Sequence, residues 1–243
     1  MASIAVYSVK GGVGKTTLAV NLAWCSASIS RRKTLLWDLD AANGSGFLLG
    51  IDPRRKHSAN SMFADGGDPA KLIRPTAIAG LDLLPADESI RAIDRTLDRL
   101  GKKKRLAKLT AAMTKDYDRI IFDCPPVLNE LSAQIMRAAD LVIVPLPPSP
   151  LSARAFEVVV EEVRGTGKGH PPILPVLSML DLRRTLHKDA RAANPAWPAI
   201  PLASAVEQCA VERRPVGAFA PRSPAARAIA QLWTAIERKL AEK

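Results

Sequence analysis

Residues 10–17 read Lys-Gly-Gly-Val-Gly-Lys-Thr-Thr, directly after an apolar, β-branched stretch at residues 4–9. Gly11, Gly12 and Gly14 let backbone N–H groups turn inward and approach an anion closely. A helix opening near Lys15 would add the partial positive charge of its N-terminus. The Lys15 ammonium is long enough to reach the outer phosphates of a nucleoside triphosphate, and the Thr16 hydroxyl can bind Mg2+. Such chemistry also needs carboxylates at the ends of neighbouring strands. Asp38 and Asp40 follow Leu35-Leu36-Trp37, and Asp123 follows Arg119-Ile120-Ile121-Phe122. In parallel sheets ligands bind outside the carboxyl ends of the strands, where these acids fall.

The elements that must position these groups alternate along the chain. Strands are expected at residues 4–9, 34–37, 81–84, 119–122, 141–144 and 173–179, the fifth stopping at Pro145. Helices are expected at 16–27, 87–100, 103–113, 131–138, 151–163, 183–193, 204–212 and 224–242. Residues 41–80 are loop-rich, with short helical pieces near 58–63 and 69–73. Pro175 cannot donate a ladder hydrogen bond, so an edge position or a break is expected there. Alternating strands and helices predict an α/β fold in one domain over residues 1–243, a mostly parallel sheet with helices on both faces; with a phosphate loop after its first strand it resembles a P-loop NTPase domain. No linker or repeat divides the chain.

Composition bounds the partners. The 243 residues are 47% hydrophobic but only 5% aromatic, so the core must be built from Ala, Val, Leu and Ile. The formal net charge of +11 favours a polyanion, either nucleic acid or an anionic membrane surface. Three scattered cysteines, Cys25, Cys124 and Cys209, form no CxxC and argue against a disulfide framework or a zinc site. No signal-like N-terminus and no apolar run of about 18 residues is visible, so a soluble cytoplasmic protein is expected.

The loop departs from the common phosphate-loop pattern, because Val9 stands where a glycine is usual and Lys10 opens the motif instead. The pattern KGGxGK[ST]T, in strand–loop–helix context, resembles the deviant Walker A signature of the ParA/MinD family of ATPases. That resemblance implies ATP and Mg2+ as ligands. It gives Gly11, Gly12, Val13, Gly14, Lys15, Thr16 and Thr17 to the nucleotide, and Thr16, Asp38 and Asp123 to the metal. Asp40 would orient the attacking water. Lys10 would act in trans on the nucleotide of a partner subunit, so that Lys10, Lys15 and Asp40 are the catalytic set of an ATP-bound homodimer. Cys124-Pro125-Pro126 is similar to the family's turn after the Walker B aspartate. Ser178 stands where relatives carry an Asn near the adenine. Residues 41–46 depart from the family's usual continuation, with Ala41 and Ala42 in place of a proline and a glutamine.

The resemblance extends to residues 139–154 and to the C-terminal stretch at 211–228. It is closest to partition and positioning ATPases without an N-terminal DNA-binding domain. It implies slow, partner-stimulated hydrolysis, a ParB-like or cargo-borne activator, nonspecific DNA binding and nucleoid association. Arg183, Arg184, Arg213, Arg214, Arg222 and Arg227 are the candidate DNA contacts, with residues 102–105 as a second basic cluster. A MinD-like membrane ATPase is one alternative, but Ile229, Leu232, Trp233, Ile236 and Leu240 read as a core-facing stripe. An iron-protein-like electron-transfer ATPase is another, for which Cys25 and Cys124 are poorly placed. A tyrosine kinase would need a Tyr-rich tail, and only Tyr7 and Tyr117 occur.

Overall fold

A computed structural model describes residues 1–52, 59–63, 68–100, 104–167 and 169–242. The strands are β1 (Ala2–Val6), β2 (Thr34–Asp38), β3 (Arg74–Pro75), β4 (Leu81–Leu84), β5 (Arg119–Asp123), β6 (Leu141–Leu146), β7 (Ile173–Leu180) and β8 (Ala199–Pro201). They form one sheet in the order β3-β4-β2-β5-β1-β6-β7-β8. Every pairing is parallel except β3 with β4.

The helices are α1 (Lys15–Trp24), α2 (Gly44–Leu48), α3 (Ile93–Leu100), α4 (Arg105–Ala112), α5 (Glu130–Ala138), α6 (Pro150–Gly165), α7 (Thr185–Ala193), α8 (Ser204–Glu207), α9 (Cys209–Glu212), α10 (Val216–Phe219) and α11 (Pro224–Ala241). The strands are apolar at successive positions because both faces are covered. On one face Leu35, Trp37, Ile120 and Phe122 join α3, α4, α5 and α6 in one core, with the Trp37 and Phe122 rings 5.6 Å apart. On the other, Leu36 and Ile121 pack with α1 and α11. Ile229, Leu232, Trp233 and Ile236 of α11 are buried there, and Leu240 packs against them, so the stripe is core.

Several expected boundaries move, for identifiable reasons. The first helix ends at Trp24 and continues as a π-helix, Cys25–Ile29, where Ser26 and Thr34 hydroxyls meet at 2.7 Å. β6 passes through Pro145, because β1 pairs it only as far as Ile143 and no donor is needed on that side beyond. β7 is flanked by β6 and β8, yet β8 pairs it only from Leu177 onward, so Pro175 has a free outer side. The stretch expected as one helix at 204–212 is two short turns, α8 and α9. α2, α10 and the short strands β3 and β8 were not expected from the sequence. The start of the helix expected at 103 and of the piece expected at 58 lies outside the described residues, as does part of the basic cluster at 102–105.

The C-terminal segment is fastened to α1. Asn21 Oδ1 accepts from the Val216 N–H at 2.8 Å, and its Nδ2 donates to the Thr17 carbonyl at 2.8 Å. Gly217 lies against the Trp24 indole, and a Cβ there would overlap three ring atoms. Gly217→Ala should therefore destabilise the protein by about 2 kcal/mol, read as a lowered midpoint in urea. An unchanged midpoint would show that the α1–α10 contact is not tightly packed.

Candidate nucleotide-binding site

The loop after β1 has the backbone that its glycines allow. Gly12 (φ 70°) and Gly14 (φ 90°) lie in the left-handed region. A Cβ at Gly12 would touch nothing, so its glycine is required by the backbone and not by space. Gly14 is the N-cap of α1 and accepts from the Leu18 N–H at 2.9 Å. Lys15 is only 7% exposed, and its Nζ donates to the Lys10 carbonyl at 3.1 Å. Burial holds its ammonium below the ordinary lysine range, outweighing the pull of Asp123, Cys124 and Asp40. A buried cation of this kind, at a helix N-terminus, gains from a phosphate beside it.

Asp38 and Asp123 end adjacent strands in register, and both are 0% exposed. Thr16 Oγ1 donates to Asp123 Oδ1 at 3.3 Å, and Ser45 Oγ donates to Asp123 Oδ2 at 2.8 Å. Asp38 accepts from the backbone N–H groups of Asp40 and Ser45, each at 3.0 Å. Burial pushes the Asp123 carboxyl up to about 6, although the Ser45 and Thr16 hydrogen bonds pull against it. Asp38 is raised well above the ordinary carboxylate range by burial and then by its neighbour Asp123. Asp40 lies at the rim. Its Oδ1 accepts from the Ala42 N–H at 3.0 Å, which shapes the turn into α2.

The residues present fit a magnesium ion. Two buried carboxylates and two hydroxyls converge where negative charge is poorly compensated. No group of three or more His, Cys, Asp or Glu side chains suited to a metal occurs among the described residues. Mg2+ commonly takes one or two carboxylates and completes its shell with phosphate oxygens and water. The sequence reading missed Ser45, which bonds both carboxylates. Its signal is a serine between two glycines just after the strand-end acids. A Cβ at Gly44 would lie 2.9 Å from Thr16 Cγ2, so α2 packs directly on Thr16.

Beside the loop, a cavity of about 150 Å3 is lined by Val13, Gly14, Thr17, Leu18, Ser178, Ile200 and Leu202, among others. Ser178 lies in its wall, but its hydroxyl donates to the Val13 carbonyl at 3.1 Å. On the opposite side Lys10 Nζ donates to Ser152 Oγ at 3.3 Å, and Ser152 shares a 2.9 Å hydrogen bond with Ser149 at the start of α6.

A family model described as an AAA domain matches residues 1–169. The sporulation initiation inhibitor protein Soj of Bacillus subtilis is 32% identical over 189 residues, 75% of this chain and 74% of that protein. The chain belongs to the ParA/MinD family of P-loop ATPases. The chromosome partitioning protein ParA of Caulobacter vibrioides is 32% identical over 201 residues, 78% of this chain and 75% of that protein. A solved structure named cobyrinic acid a,c-diamide synthase, from Mycobacterium smegmatis, holds an ATP analogue and magnesium. It is 26% identical with a TM-score of 0.82, covering 98% of this chain and 94% of that one. ParA/MinD P-loop ATPases hydrolyse ATP and serve partition or positioning.

The six arginines expected to meet DNA are not equivalent. Arg183 is held by Asp181, with Nε at 2.8 Å from Oδ1 and NH2 at 3.0 Å from Oδ2. Arg214 pairs with Glu212 at 2.9 Å. Arg213 bonds the Phe47 carbonyl and approaches Asp52. Arg184, Arg222 and Arg227 are exposed and make no ion pair among the described residues. The three cysteines are buried far apart in the sequence and lie on no common exposed face.

Because the folded protein holds the Asp123 proton more tightly than the unfolded chain, this group favours folding most below about pH 4. That contribution is lost as pH rises through about 6. In nucleotide- and magnesium-free protein, Asp123→Asn should gain on the parent in thermal midpoint as pH rises across this window. Parallel curves for the two proteins would show that the buried carboxyl is not strained.

Proposed function

We propose that this chain binds ATP with Mg2+ on residues 10–17, dimerises face to face around two nucleotides, and hydrolyses them slowly until a partner stimulates it. In this reading it binds DNA nonspecifically and positions a cargo over the nucleoid, in the cytoplasm. The observation that carries the proposal is one buried cluster, hydroxyls hydrogen-bonded to carboxylates beside the loop lysine. Lys15, Thr16, Ser45, Asp38 and Asp123 meet at the carboxyl ends of β1, β2 and β5.

The residues divide the work as their surroundings allow. Backbone N–H groups of residues 11–17 and the Lys15 ammonium take the phosphate oxygens. Thr16, Asp123 and Asp38, steadied by Ser45, would hold the magnesium. When bound, the ion supplies positive charge to the outer phosphates and to the leaving oxygen. Asp40, at the rim, accepts a hydrogen bond from the water that attacks the terminal phosphorus. The bond from that phosphorus to the bridging oxygen then breaks, leaving ADP and phosphate. With its proton donated to the Val13 carbonyl, the Ser178 hydroxyl offers an acceptor to the cavity. That favours the amino group of adenine over the carbonyl of guanine.

The side-chain contact of Lys10 supports a trans role for it. Among the described residues its one side-chain partner is the neutral Ser152 hydroxyl, a bond easily exchanged for a phosphate on the facing subunit. Leu128, Leu151, Leu182 and Leu202 are exposed on the segments that follow β5, β6, β7 and β8. They ring the same edge of the sheet as the phosphate loop, and an apolar rim of this kind suits a subunit interface. No helix among the described residues is long and apolar enough to cross a membrane. The buried α11 stripe also leaves no spare apolar face there for the membrane-surface alternative.

Asp40→Ala should lower ATP hydrolysis by about 100-fold or more while keeping nucleotide binding, and should accumulate as an ATP-bound dimer in sedimentation. A monomer that ignores ATP would sink the dimer reading. Lys10→Ala should bind ATP but lose the dimer or the stimulated turnover, and full turnover would remove the trans lysine. DNA affinity should fall steeply with salt. Arg222→Ala and Arg227→Ala should each reduce the log–log slope by about 1, whereas Arg183→Ala, already neutralised by Asp181, should change it less. Identical slopes for all three variants would refute the assignment of the C-terminal arginines.

A further inference from the structure

α2 is the only element among the described residues whose groups reach both buried carboxylates: the Ser45 N–H bonds Asp38 and the Ser45 hydroxyl bonds Asp123. Its first residue, Gly44, rests on Thr16. The far side of this short helix is held by a residue distant in sequence. Arg213 Nε donates to the Phe47 carbonyl at 3.0 Å, and its guanidinium carbon lies 4.7 Å from the Phe47 ring centroid. Its NH2 stands 3.8 Å from an Asp52 carboxylate oxygen. One side chain therefore touches α2 by hydrogen bond, stacking and charge.

The backbone at Arg213 is unusual. Its φ of 50° and ψ of 40° place a non-glycine residue in the left-handed region, at the C-cap of α9. Glycine is the residue that occupies such a cap without strain, and a side chain there is strained. Phe47 is half exposed and Arg213 is 41% exposed, so hydrophobic burial does not account for the arrangement. The planar guanidinium can stack and bond in the same plane, as a lysine cannot.

We propose that Arg213 is a positioning residue for the magnesium site, acting through α2. By clamping Phe47 it fixes the helix that presents Ser45 to Asp38 and Asp123. The same contact ties the basic C-terminal segment to the acidic end of the nucleotide site. This rests on the nucleotide reading given above.

The test uses the full chain and Arg213→Gly, which removes the clamp while relieving the left-handed backbone. Arg31→Gly is the control, since Arg31 is also left-handed (φ 52°) and, among the described residues, no hydrogen bond or ion pair joins it to α2. The first readout is amide hydrogen exchange at Ser45 and Leu49 in nucleotide-free protein. The second is binding of a fluorescent ATP analogue, titrated with Mg2+ and repeated in EDTA. In Arg213→Gly the two amides should exchange faster, and the Mg2+ needed for half-saturation should rise about 10-fold. Binding in EDTA and the thermal midpoint should hold, and Arg213→Lys should recover only part of the Mg2+ shift. Unchanged exchange and Mg2+ dependence in Arg213→Gly, with the parent binding nucleotide normally, would overturn the clamp alone. A parent that binds no nucleotide would overturn the nucleotide reading, and the clamp with it.

Discussion

Two carboxylates buried side by side set the terms for this molecule. β2 and β5 run parallel and in register, so their last residues, Asp38 and Asp123, are brought together fully buried. Removing an ion from water costs several kcal/mol, and a like charge alongside adds to that cost. The protein answers with donors: two backbone N–H groups on Asp38, and the Thr16 and Ser45 hydroxyls on Asp123. The carboxyls remain raised in spite of these bonds, and the arrangement is short of positive charge. A cation shared with a phosphate would supply it. The close approach of Gly44 to Thr16 follows from the same demand, since α2 must come near enough for Ser45 to reach both acids.

Sheet order decides what surrounds this pair. β1 lies between β5 and β6, so the loop that follows it has the acids on one side and the start of α6 on the other. Lys15 turns back to its own loop, while Lys10 reaches Ser152 across the opening. Tyr7, at the head of the loop, donates to the Val127 carbonyl at 2.7 Å and ties the loop to the turn after β5. α1 begins at the loop and packs on α11 through Asn21, Trp24 and the C-terminal turns. The phosphate loop thus touches both the carboxylate side and, through α1, the C-terminal segment.

Local signals served where chemistry and backbone coincide. The loop glycines, the strands around Ile121 and Leu36, and the acids at strand ends are legible because each depends on its immediate neighbours. Residues 25–29 continue a helical pattern, and nothing in their periodicity marks the widened π turn that lets Ser26 meet Thr34. β3 and β8, of two and three residues, are too short to leave an alternating pattern. Pro145 reads as a strand stop unless it is known that β1 has already ended beside it. The arginines read as one basic face, whereas Asp181, Glu212 and Asp52 each occupy one of them.

The sequence by itself determined the phosphate loop, the identity of the strand-end carboxylates, the parallel α/β class and the apolar stripe of α11. These follow from spacings of a few residues, where backbone geometry and side-chain reach are set locally. Only the tertiary structure decided which of those groups meet. Ser45 and Asp123 are 78 positions apart, Lys10 and Ser152 are 142, and Arg213 and Phe47 are 166. Such contacts depend on how the crossovers order the strands and on which donors burial leaves without water. No short-range pattern carries that information.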